Sequence, residues 1–333
     1  MQIREIGEFG LIERLKKRTK VSDPSVIKGI GDDCAVIKIS DNQFLLLTCD
    51  LLLEGVHFNL AYTDSYHLGK KALAVSLSDV AAMGGIPRFY LVSLGLPSYL
   101  NLKFIESLYQ GMEEVAQEFE ISLIGGNISS SQKLLIDVTL LGETKPREII
   151  YRNGAQAGDT IFVTGTLGNS ALGLTLLKSK MKVKDNRGFQ KLKGRYLSPH
   201  PRVREGRFLT THRIATAMID ISDGLILDLK HILKESVKGA EVWLDKIPLS
   251  PEFIKYSEIY KGNRSDLALT GGEDYELLFT VPPKRLKRLN QLSRQLSLPL
   301  TMIGKITREK GKVRLLKKDG KEHRIKREGF CHF

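Results

Sequence analysis

The chain has 333 residues, 42% of them hydrophobic and 27% charged, with a net charge of +13. That balance excludes the disordered and fibrous classes, and the length suits two hydrophobic cores of about 150 residues each better than one. The longest apolar runs, such as Phe44 to Leu47, are too short to cross a bilayer, the start Met1 to Glu5 has no apolar signal core, and three cysteines without CxxC spacing argue against a disulfide framework or a thiolate zinc site, so a cytoplasmic protein is expected.

Taken in order, Glu5 to Lys17 has helical apolar spacing, and Gly29-Ile30-Gly31-Asp32-Asp33 is a Gly-flanked acidic pair leading into the strand Ala35 to Ile37. Phe44 to Asp50 reads as a buried strand that ends on a carboxylate, with His57 following a turn later. Lys71 to Met83 is a helix rich in small apolar residues, stopped by Gly84 and Gly85, and it holds one carboxylate, Asp79, which its packing should withdraw from water. Arg88 to Leu96 is then a strand, Asn101 to Phe119 an amphipathic helix, and Ile121 to Ile124 a short buried strand leading into Gly125-Gly126-Asn127. The strand Leu134 to Gly142 closes a first domain placed at 1–145, and Glu143 to Ala157, with Arg152, crosses into a second at 146–333.

The second half opens with a strand, Thr160 to Val163, and the turn Thr164 to Gly168 ahead of a helix, read as a phosphate-facing turn that lacks the Lys-Ser/Thr ending of a P-loop. A loop is expected around Asp185 to Pro201, then a helix over Arg202 to Thr211. Ala217 to Asp220 is a strand ending in Asp220-Ile221-Ser222-Asp223, followed by the helix Leu225 to Lys234, and Gly271-Gly272-Glu273-Asp274-Tyr275-Glu276 leads into another strand. From Pro283 to Glu328, sixteen Lys and Arg stand against four Asp and Glu, so nearly all the net charge is there. Interspersed with Leu, Ile and Val, it reads as a solvated face, and nucleic-acid binding is not the favoured reading.

Singly, each acidic turn equally suits local capping. Together, Asp32, Asp33, Asp50, Asp79, Asp220 and Asp223 repeat one theme of strand-end or buried carboxylates, with Gly directly beside Asp32 and Asp223 to permit close approach. Such a cluster needs cations, and oxygen ligands without Cys or clustered His point to Mg²⁺ and a nucleotide.

The segments Gly29 to Ala35, Thr48 to Asp50, Gly55 to Phe58, Lys71 to Gly84, Ile219 to Leu225, Gly271 to Leu277 and Gly329 to Phe333 together resemble the thiamine-monophosphate kinase family of the aminoimidazole-ribonucleotide-synthase-like superfamily. The resemblance implies a two-domain α/β (α+β) fold, with N-terminal strands pairing across a homodimer and a C-terminal α/β sandwich. It also implies transfer of a phosphoryl group from ATP to thiamine monophosphate, assisted by several Mg²⁺ ions. By motif, Asp33, Thr48, Cys49, Asp50, Asp79, Asn127, Asp220 and Asp223 fall on metal positions, and Gly126, Asn127, Arg152 and Ser222 on ATP positions. His57, Glu273 and Phe330 fall on substrate positions, and Asp33, Asp50, Asp79, Asp220 and Arg152 carry the expected catalysis. Asn127 stands where the family has Asp. Cys49 stands where it has Ser or Thr, so a hard metal there would meet its backbone carbonyl.

Overall fold

A computed structural model describes residues 2–179, 186–260 and 263–333. The first half holds helices α1 (Ile3–Arg18), α2 (Ser65–Ala82) and α3 (Leu102–Glu118) and strands β1 (Val26–Lys28), β2 (Ala35–Ser40), β3 (Gln43–Leu53), β4 (Ile86–Leu96), β5 (Ser122–Ser130) and β6 (Leu135–Thr144). The strands form one mixed sheet in the order β1-β2-β3-β6-β4-β5, with β5 parallel to β4 at the open edge. Alternation along β6, with Ile136, Val138 and Leu140 buried, turns one sheet face onto α2. α2 can lie close because Gly69 and Gly111 meet across the α2–α3 crossing, where a Cβ on either would sit 1.9 Å from a backbone oxygen of the other helix.

The second half holds β7 (Thr160–Thr164), α4 (Asn169–Ser179), α5 (Asn186–Leu197), α6 (Val203–Thr211), β8 (Ala217–Asp220), α7 (Leu225–Ser236), β9 (Gly239–Trp243), α8 (Pro251–Tyr256), α9 (Arg264–Thr270), β10 (Leu277–Val281), α10 (Leu286–Leu292), β11 (Leu300–Thr307), β12 (Val313–Leu316) and β13 (Glu322–His323). Its sheet runs β13-β12-β9-β11-β7-β10-β8, and β7, β8 and β10 are buried at every residue. The main core is continuous between the halves: Leu46 and Leu73 belong to the same apolar cluster as Phe162, Met218 and Phe279. α2 touches β3 and β6 on one side and β8 and α6 on the other, so the helix carrying Asp79 is the element both halves share.

Several expectations are corrected. β3 continues to Leu53, so Asp50 lies inside a strand, not at its end. The strand expected to be short and buried at Ile121 to Ile124 is instead the nine-residue edge strand β5, exposed at every position, because no element among the described residues covers it. The loop expected around Asp185 to Pro201 contains α5, whose Phe189, Leu192 and Tyr196 are buried, while residue 185 lies outside the described residues. α1 spans Ile3–Arg18 but is broken by Gly7 at φ 65°.

Candidate active site

Asp33 enters from the turn before β2, Asp50 from the α2-facing side of β3, Asp79 from the last turn of α2 and Asp220 from the end of β8. One oxygen each of Asp33, Asp79 and Asp220 lies within 4.8 Å of the others. Hydroxyls orient three carboxylates: Thr48 Oγ1 donates to Asp79, Ser76 Oγ to Asp50 Oδ2 at 2.8 Å and Ser78 Oγ to Asp220 Oδ2 at 2.7 Å. The Arg152 guanidinium donates to Asp33 Oδ1 from Nη2 at 2.6 Å and from Nε at 3.1 Å, and its backbone N–H donates to Asp32 Oδ1 at 3.1 Å. The remaining oxygen, Asp33 Oδ2, is buried and has no hydrogen-bond partner among the described residues.

Burial pushes the carboxyls of Asp33, Asp50, Asp220 and Asp223 up to about 6. Asp79 is raised well above the ordinary carboxylate range, first by burial and then by Asp50, Asp220 and Asp33. A single arginine cannot neutralise this set. The buried partnerless oxygen, the converging carboxylates and the all-oxygen donors fit Mg²⁺, with Asp33, Asp79 and Asp220 at the centre and Asp50 alongside.

Beside this cluster lies a cavity of about 530 Å³, whose wall includes Asp50 and Asp223 together with His57, Glu273 and Phe330. Cys49 and Ser222 also line it. His57 Nδ1 accepts from Leu53 N–H at 3.0 Å, which leaves the ring proton on Nε2, and burial lowers the ring to about 4. Glu273 has a left-handed backbone, φ 66°, held by its N–H donating to Ser222 O at 2.7 Å. Gly272 permits that contact, since a Cβ there would sit 2.4 Å from the same carbonyl oxygen.

The acidic Gly271 to Glu276 segment divides its labour. Glu273 reaches the cavity, whereas Asp274 accepts from Gly168 N–H at 2.5 Å and Ser170 N–H at 3.1 Å. Asp274 therefore occupies the start of α4, and the phosphate-facing reading of the Thr164 to Gly168 turn is withdrawn. Glu276 is buried against Arg202 Nε at 2.7 Å and Thr164 Oγ1 at 2.6 Å.

Gly126 and Asn127 are not brought to the cluster within one chain. Asp50, Val138, Val92 and Gly126 stand in one row across β3, β6, β4 and β5, which separates Gly126 from Asp50 by three strand spacings, about 14 Å. Asn127 belongs to the next row, with Leu51, Asp137 and Ser93, on the face turned away from α2. Cys49 also points to that face, leaving only its backbone towards the Asp50 side.

Sequence reasoning missed Ser76 and Ser78, although their spacing before Asp79 on one helix was a usable signal. It also missed Asp228, which accepts from Asp223 N–H at 3.2 Å and Gly224 N–H at 3.0 Å and so holds the Asp220 to Asp223 turn. Tyr196 on the cavity wall had no local signal at all, and His332 beside it was legible only as part of the Gly329 to Phe333 segment, without a role.

A family model for AIR synthase related proteins, N-terminal domain, matches residues 31–144, and one for the C-terminal domain matches 156–317. Fold and acidic site thus define an AIR-synthase-related two-domain protein. The thiamine-monophosphate kinase of Aquifex aeolicus (strain VF5) is 39% identical over 334 residues, spanning 100% of each chain. That of Bacillus subtilis (strain 168) is 38% identical over 331 residues, 98% of this chain and 100% of its own. The solved structure of AaThiL complexed with AMPPCP and TMP superposes with a TM-score of 0.87 at 38% identity, covering 100% of this chain and 99% of that one. The chain belongs to the thiamine-monophosphate kinase family.

Proposed function

We propose that this chain transfers the γ-phosphoryl group of ATP to thiamine monophosphate, forming thiamine diphosphate and ADP by direct in-line displacement. The observation that carries the reading is the single cavity whose wall joins Asp50 and Asp223 to His57, Glu273 and Phe330. It puts the margin of the acidic cluster, Asp50 and Asp223, in one space with His57, Glu273 and Phe330, which suits a phosphate acceptor approaching the cluster. Kinship with a structure holding an ATP analogue and TMP supports it.

An acceptor oxygen of thiamine monophosphate forms the new bond to the γ-phosphorus, and the bond to the β,γ-bridging oxygen breaks with its electron pair leaving on ADP. The acceptor is already ionised near neutral pH, its second pKa being about 6, so no strong base is needed. Repulsion between two anions must instead be relieved, and bound Mg²⁺ would supply that positive charge. Asp33, Asp50, Asp79 and Asp220 would hold the ions, with Asp223, Thr48 and the Cys49 carbonyl at the margins. Arg152 would direct its guanidinium to phosphate oxygens, and Ser222 would meet the nucleotide beside it. His57 is not a nucleophile: neutral near pH 7, its Nδ1 is engaged by Leu53 and its Nε2 carries the proton. It serves as a hydrogen-bond donor.

We also propose that the working unit is a homodimer built through β5. All nine residues of β5 are exposed, including Leu123, Ile124 and Ile128, and the sheet face turned from α2 leaves Phe89 and Leu51 exposed. A long apolar edge is otherwise an aggregation site. A second copy pairing there would also supply Gly126 and Asn127 to a site they cannot reach in their own chain.

The decisive assay measures ADP release over a panel of phosphate acceptors; release confined to thiamine monophosphate supports the reading, and release indifferent to it refutes it. Rapid quench with γ-labelled ATP and no acceptor tests direct transfer, because stoichiometric label on protein that chases into thiamine diphosphate would overturn it. Light scattering tests the dimer, which a monomeric mass at working concentration would refute.

A further inference from the structure

Among the described residues Lys71 is the largest charged side chain wholly withdrawn from solvent; it opens the Lys71 to Gly84 segment, yet neither the mechanism nor any site position carried over by motif uses it. It lies behind the cavity wall on the first turns of α2, in a stretch whose neighbours Ala72, Leu73 and Ala74 are core residues. A buried ammonium loses its hydration, and burial pulls its pKa down, so an apolar side chain of similar length would fill the same space more cheaply. What Lys71 reaches explains its presence. Its Nζ is 2.6 Å from Glu273 Oε1, 3.7 Å from the centre of the Tyr196 ring and 3.5 Å from the His57 backbone oxygen. Tyr196 OH donates to that same oxygen at 2.9 Å. One cation thus ties together three wall residues of the cavity that come from both halves of the chain: His57 from the segment after β3, Tyr196 from α5, and Glu273 from the strained turn before β10.

We propose that Lys71 is a positioning residue for the acceptor site. It fixes one carboxylate oxygen of Glu273 and the face of Tyr196, so that the other Glu273 oxygen is held ready for a hydrogen-bond donor on the ring portion of the substrate. The assignment rests on the thiamine monophosphate reading above. It predicts an effect on acceptor recognition that is separate from the metal and nucleotide cluster. Without Lys71 the Glu273 side chain loses its anchor and turns among rotamers, and the cavity loses shape on the acceptor side only.

The test compares wild type with Lys71→Met, Glu273→Gln and the double variant in steady-state assays, with acceptor affinity measured separately by calorimetry without ATP. Lys71→Met is expected to raise KM and Kd for thiamine monophosphate about tenfold, equivalent to about 1.4 kcal/mol, while KM for ATP stays within about twofold. In the Glu273→Gln background the same change should add less than about twofold, since the two residues act as one unit. A purely structural Lys71 would lower thermal stability and leave the acceptor KM alone, or raise both KM values together; either result overturns the assignment, as does full additivity. If Lys71→Met does not fold, Tyr196→Leu keeps Lys71 but removes the ring it packs beneath, and is expected to raise the acceptor KM about threefold; an unchanged value overturns the proposal. Absence of thiamine monophosphate turnover in the wild type would remove the function reading and this inference together, whereas turnover with unchanged acceptor KM in the variants removes this inference alone.

Discussion

Asp79→Asn should make the metal-free protein more stable while nearly abolishing turnover. In the metal-free state Asp79 is destabilising whichever way it titrates. Ionised, it stands within 4.8 Å of carboxylate oxygens of Asp33 and Asp220, and each such pair repels by about 3.5 kcal/mol at an effective dielectric near 20. Protonated, it must hold a proton against an ordinary value of 3.8, which at pH 8 costs about 5.7 kcal/mol relative to the unfolded chain. The smaller penalty sets the burden. Asparagine removes it at nearly constant volume but weakens the hydrogen bond from Thr48, a loss of about 1.5–3 kcal/mol. The net gain is about 3 kcal/mol, or roughly 6–12 °C in Tm for domains of this size. Thermal unfolding in EDTA at pH 8 measures the gain, and ADP release with Mg²⁺ measures the loss. A variant that is inactive and less stable in EDTA would make Asp79 a structural residue, and one with wild-type turnover would take it out of the metal cluster.

The pH dependence of metal-free stability carries a definite sign. Asp33 and Asp220 hold protons up to about pH 6 in the folded protein and release them near 3.8 when unfolded, so their contribution is intact below about pH 4 and is lost as pH rises through 6. Each shift stands for about 3 kcal/mol, so denaturation in EDTA should show lower stability at pH 7.5 than at pH 5, and saturating Mg²⁺ should flatten the slope; a rising profile in EDTA would contradict the assignment. Asn127→Asp should remain active with a Mg²⁺ optimum shifted to lower concentration, because a carboxylate strengthens a hard-ion shell, and an unchanged titration would place Asn127 outside it. Neutralising exposed Lys and Arg between Lys310 and Lys321 should leave ADP release within about twofold of wild type. Several of these residues already face acids, such as Lys312 with Glu309 and Arg314 with Glu322, and a large loss would give the segment a function.

The sequence by itself determined the repeated acidic turns, the small-residue helix around Asp79 and the family. These are local signals: glycines beside carboxylates, alanine-rich spacing and strand-length apolar runs are readable without knowing what lies opposite. Asp33, Asp50, Asp79 and Asp220 could therefore be named from residues alone, and the tertiary structure added that three of them converge within 4.8 Å. Only the tertiary structure decided the rest. Whether β5 is buried depends on a neighbouring strand or helix that the described residues do not supply, so an apolar segment that reads as core is an exposed edge. Glu273, Asp274 and Glu276 look alike in sequence, yet one faces the cavity, one caps α4 and one pairs with Arg202. Their roles are set by partners some 70 to 200 positions away. The role of Lys71 and the place of Tyr196 were silent for the same reason: a buried ammonium under an aromatic ring has no local pattern, because the carboxylate that justifies it lies in the other half of the chain.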